Sequence, residues 1–286
     1  MMWNFRVLLL AVSSTFFCAA EEVELKVYTG TGEDRSHFSA KALLIDESGV
    51  LVMGLPNSQT ISKVTLLDQP EEISTTLVAY NNYSRIAFMT LPQEKLAGKK
   101  PTQLATQDTG KVLVKGKSYL IAGEVTHHDG QSIPFSFTRI HGEALKMAKF
   151  SFVNNAQGQC TGIVHSEVIH SPGAYYVVPS VVIQKSLADI KKFGQPVQAW
   201  LGITLDANVS LPIVKSVRPL SAAAKAGLQK GDILKKMGAS AMNNYDDAVK
   251  FLYLAEAEKE IQVQVVRGTE VLTMSLTPQK LPGSGK

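Results

Sequence analysis

The stretch from Ser221 to Leu234, "SAAAKAGLQKGDIL", carries the most specific pattern in the chain. It predicts a short helix over "SAAAKAG", a turn at "LQKGD" and a strand that begins at Ile233. Gly227 and Gly231 permit tight turns, and Asp232 suits the turn before the next strand. These residue types serve the local structure and carry no information about a ligand.

The flanking sequence extends this stretch into a compact α+β unit over residues 197–280. Two strand patterns, "AWLGITLD" and "LPIVKSVRP", precede it. A helix pattern, "NYDDAVKFLYLAEA", and two more strand patterns, "EIQVQVVRG" and "EVLTMSLTP", follow it. Residues 281–286, "LPGSGK", are predicted to form a tail.

The first domain is predicted over residues 21–196, and from Glu22 to about Ile183 it has about nine apolar or alternating runs separated by Gly, Asn and Asp, which is typical of β-barrels or sandwiches. At "PSVVIQKSLADIKKFGQP" the apolar spacing becomes helical. Ser180 is the expected N-cap, and Gly194 and Pro196 are expected to end the helix. The segment "GQPVQ" then predicts a hinge between the two units.

The N-terminus has the organisation of a secretory signal peptide over residues 1–20. A positive charge is followed by the apolar run "VLLLAV" and by small residues before "EE". The apolar run is too short to cross a bilayer. We therefore expect an exported, periplasmic or secreted protein without a transmembrane segment. A lipid anchor on Cys18 is the alternative. Cleavage of the signal peptide after residue 20 would remove Cys18 and leave Cys160 as the single cysteine.

Composition excludes some classes of partner. The formal net charge of +4 and the lack of a basic run longer than a pair argue against nucleic-acid binding. The adjacent histidines in "THHDG" point apart in an extended segment, and a hairpin turn at Asp129-Gly130 explains the stretch. We therefore predict no metal site and no cofactor.

The remaining histidines do not form a convincing catalytic group with Cys160. His165 lies five residues later, and an odd offset along a strand places two side chains on opposite faces. We expect His165 to be an exposed strand residue. The other isolated histidines, His37, His141 and His170, are expected at the surface.

The pattern of residues 197–280, carried by "WLGITLD", "SAAAKAGLQKGDIL" and "NNYDDAVKFL", resembles a PDZ domain of the HtrA/Deg type. With that domain named, "ALLIDESGVLVMGLPN", "SRIAFMTL", "GQCTGIV" and "YYVVPSVVIQ" resemble the segments of the HtrA protease domain that carry or follow its catalytic triad. The resemblance implies a mainly β fold, with a chymotrypsin-like double β-barrel followed by an α+β PDZ domain.

The resemblance also implies that the catalytic triad is degenerate. At the histidine position the chain has Pro56, at the aspartate position Arg85 or, one residue earlier, Ser84, and at the serine position Cys160. A hydroxyl or thiol nucleophile needs a base such as imidazole, and a carboxylate orients that base. Proline cannot act as a base, and arginine would repel an imidazolium. We therefore assign no catalytic residue.

For the PDZ domain, the resemblance implies a groove that binds the C-terminus of a peptide as an added strand. Backbone N–H groups of Leu201, Gly202 and Ile203 would hold the terminal carboxylate, and the strand from Thr204 to Asp206 would pair with the peptide. The helix would supply the opposite wall through residues among Ala248, Val249, Phe251 and Leu252, and the sequence leaves open which of these face the groove.

These expectations predict an exported HtrA-like pseudoprotease that binds C-terminal peptides or unfolded exported proteins without cutting them. Active HtrA relatives, or further copies of the chain, are additional candidate partners. Two alternatives stay open at this stage. One is an active endopeptidase that uses Cys160 as an unusual nucleophile. The other is a purely structural envelope protein without saturable peptide binding.

Overall fold

A computed structural model describes residues 22–29, 36–55, 61–66, 76–81, 84–95, 98–105, 111–128, 131–142 and 149–281. The predicted signal peptide, Pro56, the Asp129-Gly130 turn and the tail after Leu281 lie outside these residues. Among the described helices, none is long and apolar enough to cross a membrane.

The first layer is a six-stranded antiparallel sheet in the order β4-β1-β2-β3-β6-β5. Its strands are β1 (Glu22–Thr29), β2 (Ser36–Leu44), β3 (Val50–Gly54), β4 (Ile61–Leu66), β5 (Thr76–Asn81) and β6 (Ile86–Thr90). The edge strands β4 and β5 approach each other, so the sheet curls around its own apolar core. A short 3-10 turn, Gln93–Lys95, follows β6.

The second layer is a closed six-stranded barrel in the order β10-β11-β12-β9-β8-β7. Its strands are β7 (Lys111–Val114), β8 (Lys117–His128), β9 (Gln131–His141), β10 (Phe152–Asn154), β11 (Cys160–Glu167) and β12 (Ala174–Pro179). A separate apolar cluster fills the space between the two layers, and it includes Val52, Phe88, Phe137, Cys160 and Ile163.

Helix α1 (Ser180–Phe193) continues from β12 and closes the first domain. Gly194 ends it in a left-handed conformation (φ 78°), as predicted. The predicted cap at Ser180 is wrong. Pro179 precedes the helix without a side-chain cap, and the Ser180 hydroxyl instead donates a hydrogen bond to the carbonyl of Ala105.

The predicted hinge is fixed by a buried ion pair on α1. Lys185 Nζ lies 2.5 Å from Asp189 Oδ2 and donates to the Val197 carbonyl at 3.0 Å. The backbone N–H of Val197 donates to Asp189 Oδ2 at 3.0 Å. Lys185 and Asp189 are therefore hydrogen-bonded both to each other and to the backbone of Val197, which leads into the second domain. These bonds make the linker an ordered connection.

The C-terminal domain contains two helices and small antiparallel sheets. The chain begins this domain with the strands β13 (Ala199–Trp200), β14 (Ile203–Leu205) and β15 (Val214–Val217), continues with α2 (Ala222–Ala226) and then forms β16 (Ile233–Met237). They are followed by β17 (Ser240–Ala241), α3 (Tyr245–Leu254), β18 (Ile261–Arg267), β19 (Glu270–Leu276) and β20 (Gln279–Lys280). The four-stranded sheet has the order β17-β16-β18-β19.

The turn motif that identifies this domain is held by a charged pair. Asp232 is fully buried, and it accepts bonds from Arg267 Nε at 2.7 Å and Nη2 at 2.9 Å and from the Gln229 N–H at 2.9 Å. The hydrogen bonds from Arg267 lower the pKa of the Asp232 carboxyl. Asp232 therefore has the structural role that the sequence predicted for it.

Candidate functional site

The loop at the predicted nucleophile position is tightly closed on itself. Asn155 Oδ1 accepts hydrogen bonds from the N–H groups of Gln157 and Gln159, at 3.0 and 2.9 Å, and Asn155 Nδ2 donates to Gln159 Oε1 at 2.8 Å. The Asn155 N–H also donates to the Gln159 carbonyl at 2.9 Å. An asparagine at a turn commonly binds the backbone two residues on, and here it organises the whole loop.

The backbone N–H groups that would form an oxyanion hole already have partners. In a serine protease this hole uses the N–H groups of the nucleophile and of the residue two positions earlier. At the corresponding positions, the Gly158 N–H donates to the Asn155 carbonyl at 3.1 Å, and the Cys160 N–H donates to the Gln103 carbonyl at 2.9 Å. In this conformation neither group is available to a reacting carbonyl oxygen.

The Cys160 thiol is a core group rather than a displayed one. Its exposed fraction is 0%, and it belongs to the apolar cluster between the two layers. It donates a weak hydrogen bond to the Gly162 carbonyl (3.5 Å), and no titratable side chain of a described residue hydrogen-bonds to it. Burial raises the pKa of the Cys160 thiol to about 12, so the reactive thiolate is disfavoured at neutral pH.

His165 is not exposed, and the sequence-based expectation for it is wrong. Its side chain is buried, its ring lies 4.7 Å from that of Phe137, and Nδ1 is 3.1 Å from the Ser166 hydroxyl. Irregular pairing near Thr161 and at His165 breaks the simple alternation of β11. As a result Cys160 and His165 both adjoin the cluster that contains Phe137, so the opposite-face argument does not hold. The other isolated histidines, His37, His141 and His170, are exposed as expected.

Arg85 occupies the exposed tip of the turn between β5 and β6, with a positive φ of 54°. Its carbonyl accepts a hydrogen bond from the Leu55 N–H at 2.8 Å. The neighbouring Ser84 is buried, and its hydroxyl has no hydrogen-bond partner among the described residues. The strand before this turn ends at Asn81, whose amide donates to the Tyr253 hydroxyl at 3.0 Å.

That contact is part of a broader one between α3 and the first domain. The Tyr253 ring lies 4.9 Å from the Phe135 ring, and Tyr253 belongs to the same apolar cluster as Cys160. Lys250, one turn earlier, contacts both carboxylate oxygens of Glu124 at 2.7 and 2.8 Å. Residues 250 and 253 share one face of α3, so that face belongs to the domain interface.

In the loop from Leu201 to Ile203 the backbone carbonyl groups, rather than the N–H groups, are hydrogen-bonded within the protein. The Leu201 carbonyl accepts from the Ala223 N–H at 3.0 Å, and the Gly202 carbonyl accepts from the Arg218 N–H at 2.7 Å. A trans peptide points its C=O and N–H in opposite directions. The N–H groups of Gly202 and Ile203 therefore point away from the segment that binds these carbonyls.

Gly202 is required at this position for two reasons. Its φ is +83°, and a Cβ atom would lie 2.1 Å from Ser221 Cβ. Ser221 is itself fixed, because its hydroxyl caps α2 by accepting from the Ala224 N–H at 3.1 Å. The glycine thus permits a close backbone approach that any other residue would block.

Strand β14 has one neighbour, β15, among the described residues. The Gly202 carbonyl and the Asp206 N–H both bond towards β15, so strand periodicity directs the backbone groups of Ile203 and Leu205 to the other edge. Thr204 instead places its hydroxyl 2.6 Å from that of Ser216 on an exposed face. Leu205 lies within the segment 204–206 that the sequence predicted to pair with the peptide, and its two-residue offset from Ile203 directs its backbone groups to the same edge.

The helix residues of the predicted groove differ in burial. Ala248 is fully buried in the domain core, Leu252 packs against the same core and is half-buried, and Val249 is half-buried. Ile203 and Leu205 pack against this core from β14. Which of these helix residues contact a peptide stays a prediction. No group of three or more potential metal ligands occurs among the described residues.

Comparison with known proteins agrees with this architecture. Residues 199–277 match the PDZ domain family model. A probable periplasmic serine endoprotease, DegP-like, of Marinomonas sp. (strain MWYL1) is 25% identical over 46% of this chain and 31% of that protein. The regulator of sigma-E protease RseP of Escherichia coli (strain K12) is 34% identical over 26% of this chain and 16% of that protein. The chain thus spans less than a third of the length of either relative.

A solved structure extends the likeness to nearly the whole chain. The HtrA-type protease AlgW with a decapeptide superposes with a TM-score of 0.64 at 14% identity, over 93% of this chain and 97% of that one. At this identity the likeness concerns the fold. This chain therefore has the fold of an HtrA-type serine protease, with a trypsin-like β domain followed by a PDZ domain.

Proposed function

We propose that this protein is an exported HtrA-like pseudoprotease that binds peptide C-termini through its PDZ domain and does not cut them. The observation that carries the proposal is the contrast between two loops. The N–H groups of Gly158 and Cys160 are bound internally, whereas those of Gly202 and Ile203 are directed away from the carbonyl-binding segment.

The absence of proteolysis is supported by the state of Cys160 and by the residue types at the triad. A buried thiol whose pKa is about 12 is almost wholly protonated at neutral pH. Without an oxyanion hole, an acyl-transfer reaction loses one of its largest sources of rate. Arg85 at the aspartate position and Pro56 at the histidine position supply neither a base nor its orienter.

Peptide binding is supported by the free edge of β14 and by the two outward N–H groups. A terminal carboxylate would accept hydrogen bonds from Gly202 and Ile203, and the peptide backbone would pair with Ile203 and Leu205. The half-buried side chains of Ile203, Leu205 and Leu252 favour an apolar residue at the peptide terminus. The AlgW structures bound to a decapeptide and to a tripeptide are consistent with this mode.

The partners that this site fits are C-terminal peptides and unfolded exported proteins that expose an apolar end. Assembly with active HtrA relatives would let bound polypeptides be passed to a working protease, whereas assembly with further copies of this chain would add peptide-binding sites. The periplasmic designation of the DegP-like relative supports an exported location.

The binding half of the proposal is tested with fluorescent peptides that end in an apolar residue, each made with a free and with an amidated C-terminus. Fluorescence anisotropy should report saturable binding of the free acid and at least tenfold weaker binding of the amide, because the amide cannot be charge-paired. The variant Ile203→Pro lacks the N–H and should also lose binding. Equal affinity for acid and amide would contradict the carboxylate site.

A further inference from the structure

The outer surface of the second barrel carries an unpaired basic cluster at the β7–β8 hairpin. Lys111, Lys115 and Lys117 are all exposed, and within the described part of the chain none of them forms an ion pair. Farther along β8, the carboxylate of Glu124 is already occupied by Lys250. The hairpin therefore presents three cationic groups that no described acid neutralises.

One large exposed aliphatic side chain, Leu120, lies beside these lysines, and a second, Ile169, lies at the far end of the same row of strand positions. Leu120 is 55% exposed and Ile169 is 66% exposed, although both are residues that proteins usually bury. Lys111 pairs with Leu120, Leu120 with His141, and His141 with Ala174, so these positions form one row across four adjacent strands. Ile169 lies on the loop that joins β11 to β12 beside the end of this row.

The basic and apolar groups are held by rigid backbone. The two-residue turn of the hairpin, Lys115-Gly116, has positive φ at both positions (48° and 76°), which is the geometry of a tight hairpin turn. A shallow concavity of about 750 Å³ adjoins the turn, lined by Lys111, Lys117, Leu120 and His141. Both edges of β7 are paired, by β8 and β10, so an extended peptide cannot add to the sheet here.

We infer that this surface docks the protein onto an anionic lipid bilayer. Lysines around protruding aliphatic side chains are the composition of proteins that lie in a membrane interface, where the aliphatic groups enter the lipid and the ammonium groups contact anionic headgroups. The charge is complementary to such a bilayer, and the paired strands disfavour a peptide occupant. The surface is distant in sequence from the β14 edge, so the inference does not rest on peptide binding.

Vesicle co-sedimentation tests the inference with the purified full chain from Glu21 onward. Vesicles of phosphatidylcholine with added phosphatidylglycerol are compared with vesicles of phosphatidylcholine alone. We expect binding to the anionic vesicles that weakens as salt is raised. The triple variant Lys111→Gln/Lys115→Gln/Lys117→Gln should lower the partition coefficient on the order of a hundredfold, given the contribution expected of each lysine near an anionic surface.

The matched control neutralises three exposed lysines of the PDZ domain, in Lys230→Gln/Lys235→Gln/Lys236→Gln, and should leave partitioning close to wild type. Leu120→Ser with Ile169→Ser should weaken binding without changing its salt dependence. Equal losses in the two triple variants would overturn the inference, because net charge alone would then explain binding. Binding of labelled polyglutamate, but not of anionic vesicles, would also overturn it in favour of an acidic protein partner.

Discussion

Two loops of this molecule resemble anion-binding loops, and they treat their backbone in opposite ways. In the loop that ends at Cys160, the N–H groups bind carbonyls within the protein; in the loop around Gly202, the carbonyls are bound and the N–H groups face outward. Both loops contain glycine and both resemble a family motif. The direction of the N–H groups therefore decides whether such a loop can bind an anion, and a sequence motif alone does not report that direction.

The largest expected effect comes from removing the close backbone approach at Gly202. Gly202→Ala places a Cβ atom 2.1 Å from Ser221 Cβ at a positive φ, so it should cost about 3 kcal/mol of unfolding free energy and abolish peptide binding. Denaturant unfolding and anisotropy measure the two effects. The control Gly268→Ala has a φ of +61° but open space, and should cost about 1 kcal/mol while binding is kept. Equal costs would show that the clash with Ser221 is unimportant.

The next effect is expected from removing the hydrogen bonds that close the loop between Asn155 and Cys160. Asn155→Ala removes the buried side chain that accepts from the Gln157 and Gln159 N–H groups, so the unfolding free energy should fall by about 2 kcal/mol. Asn208→Ala removes a single exposed side-chain hydrogen bond, from Asn208 Nδ2 to Asp206 Oδ1, and should cost less than about 0.5 kcal/mol. Appearance of hydrolytic activity in Asn155→Ala would mean that loop closure alone suppresses a competent site.

Restoring the family's serine should not restore chemistry. Cys160→Ser replaces a thiol in an apolar cluster by a more polar hydroxyl and should cost about 1 kcal/mol of stability, with no gain of proteolysis. Thermal unfolding and digestion of an unfolded substrate measure these outcomes. Proteolysis by this variant would reveal a base that the geometry around residue 160 does not include.

The thiol also predicts a pH dependence. Because burial raises the pKa of Cys160 to about 12, the folded state holds its proton more tightly than the unfolded state, whose thiol titrates near pH 8.5. The contribution of Cys160 to stability is thus complete below about pH 8.5 and falls as pH rises towards 12. Alkylation by iodoacetamide should be slow in the folded protein at neutral pH and fast after denaturation. Rapid alkylation of the folded protein at neutral pH would contradict the buried assignment.

The smallest effect tests whether the two domains are energetically linked. Tyr253→Phe removes the hydroxyl that accepts from Asn81 and should lower stability by about 0.5–1 kcal/mol. Tyr245→Phe, at the start of the same helix, should leave stability unchanged. Differential scanning calorimetry measures the unfolding of each domain. If Tyr253→Phe lowers the stability of the PDZ domain only, the contact does not couple the two domains.

Much of the fold could be predicted from the sequence, because local patterns dominate it. The PDZ helices and main strands, most barrel strands and the end of α1 at Gly194 follow from periodicity and turn residues. The strands β4, β7, β17 and β20 were missed. These strands are short or weakly apolar, so their own sequence pattern does not predict them. They form because each makes backbone hydrogen bonds with a neighbouring strand.

The site was less predictable, because its decisive features are non-local. The burial of His165 depends on irregular pairing in β11, which alternation cannot anticipate. The hydroxyl of Ser180 binds Ala105, which lies 75 residues earlier in the chain, so the capping rule failed there. Gln103, the internal partner of the Cys160 N–H, is also far from the motif in the chain, so this contact is visible only in the folded structure.

The central claim is that the Cys160 loop has no chemistry while the Gly202 loop binds. The most direct measurement is mass spectrometry of unfolded casein incubated with the purified wild-type protein, beside the Cys160→Ala variant. We expect casein to remain intact with both proteins. Fragments that appear with the wild type and disappear with Cys160→Ala would identify Cys160 as a working nucleophile and contradict the account.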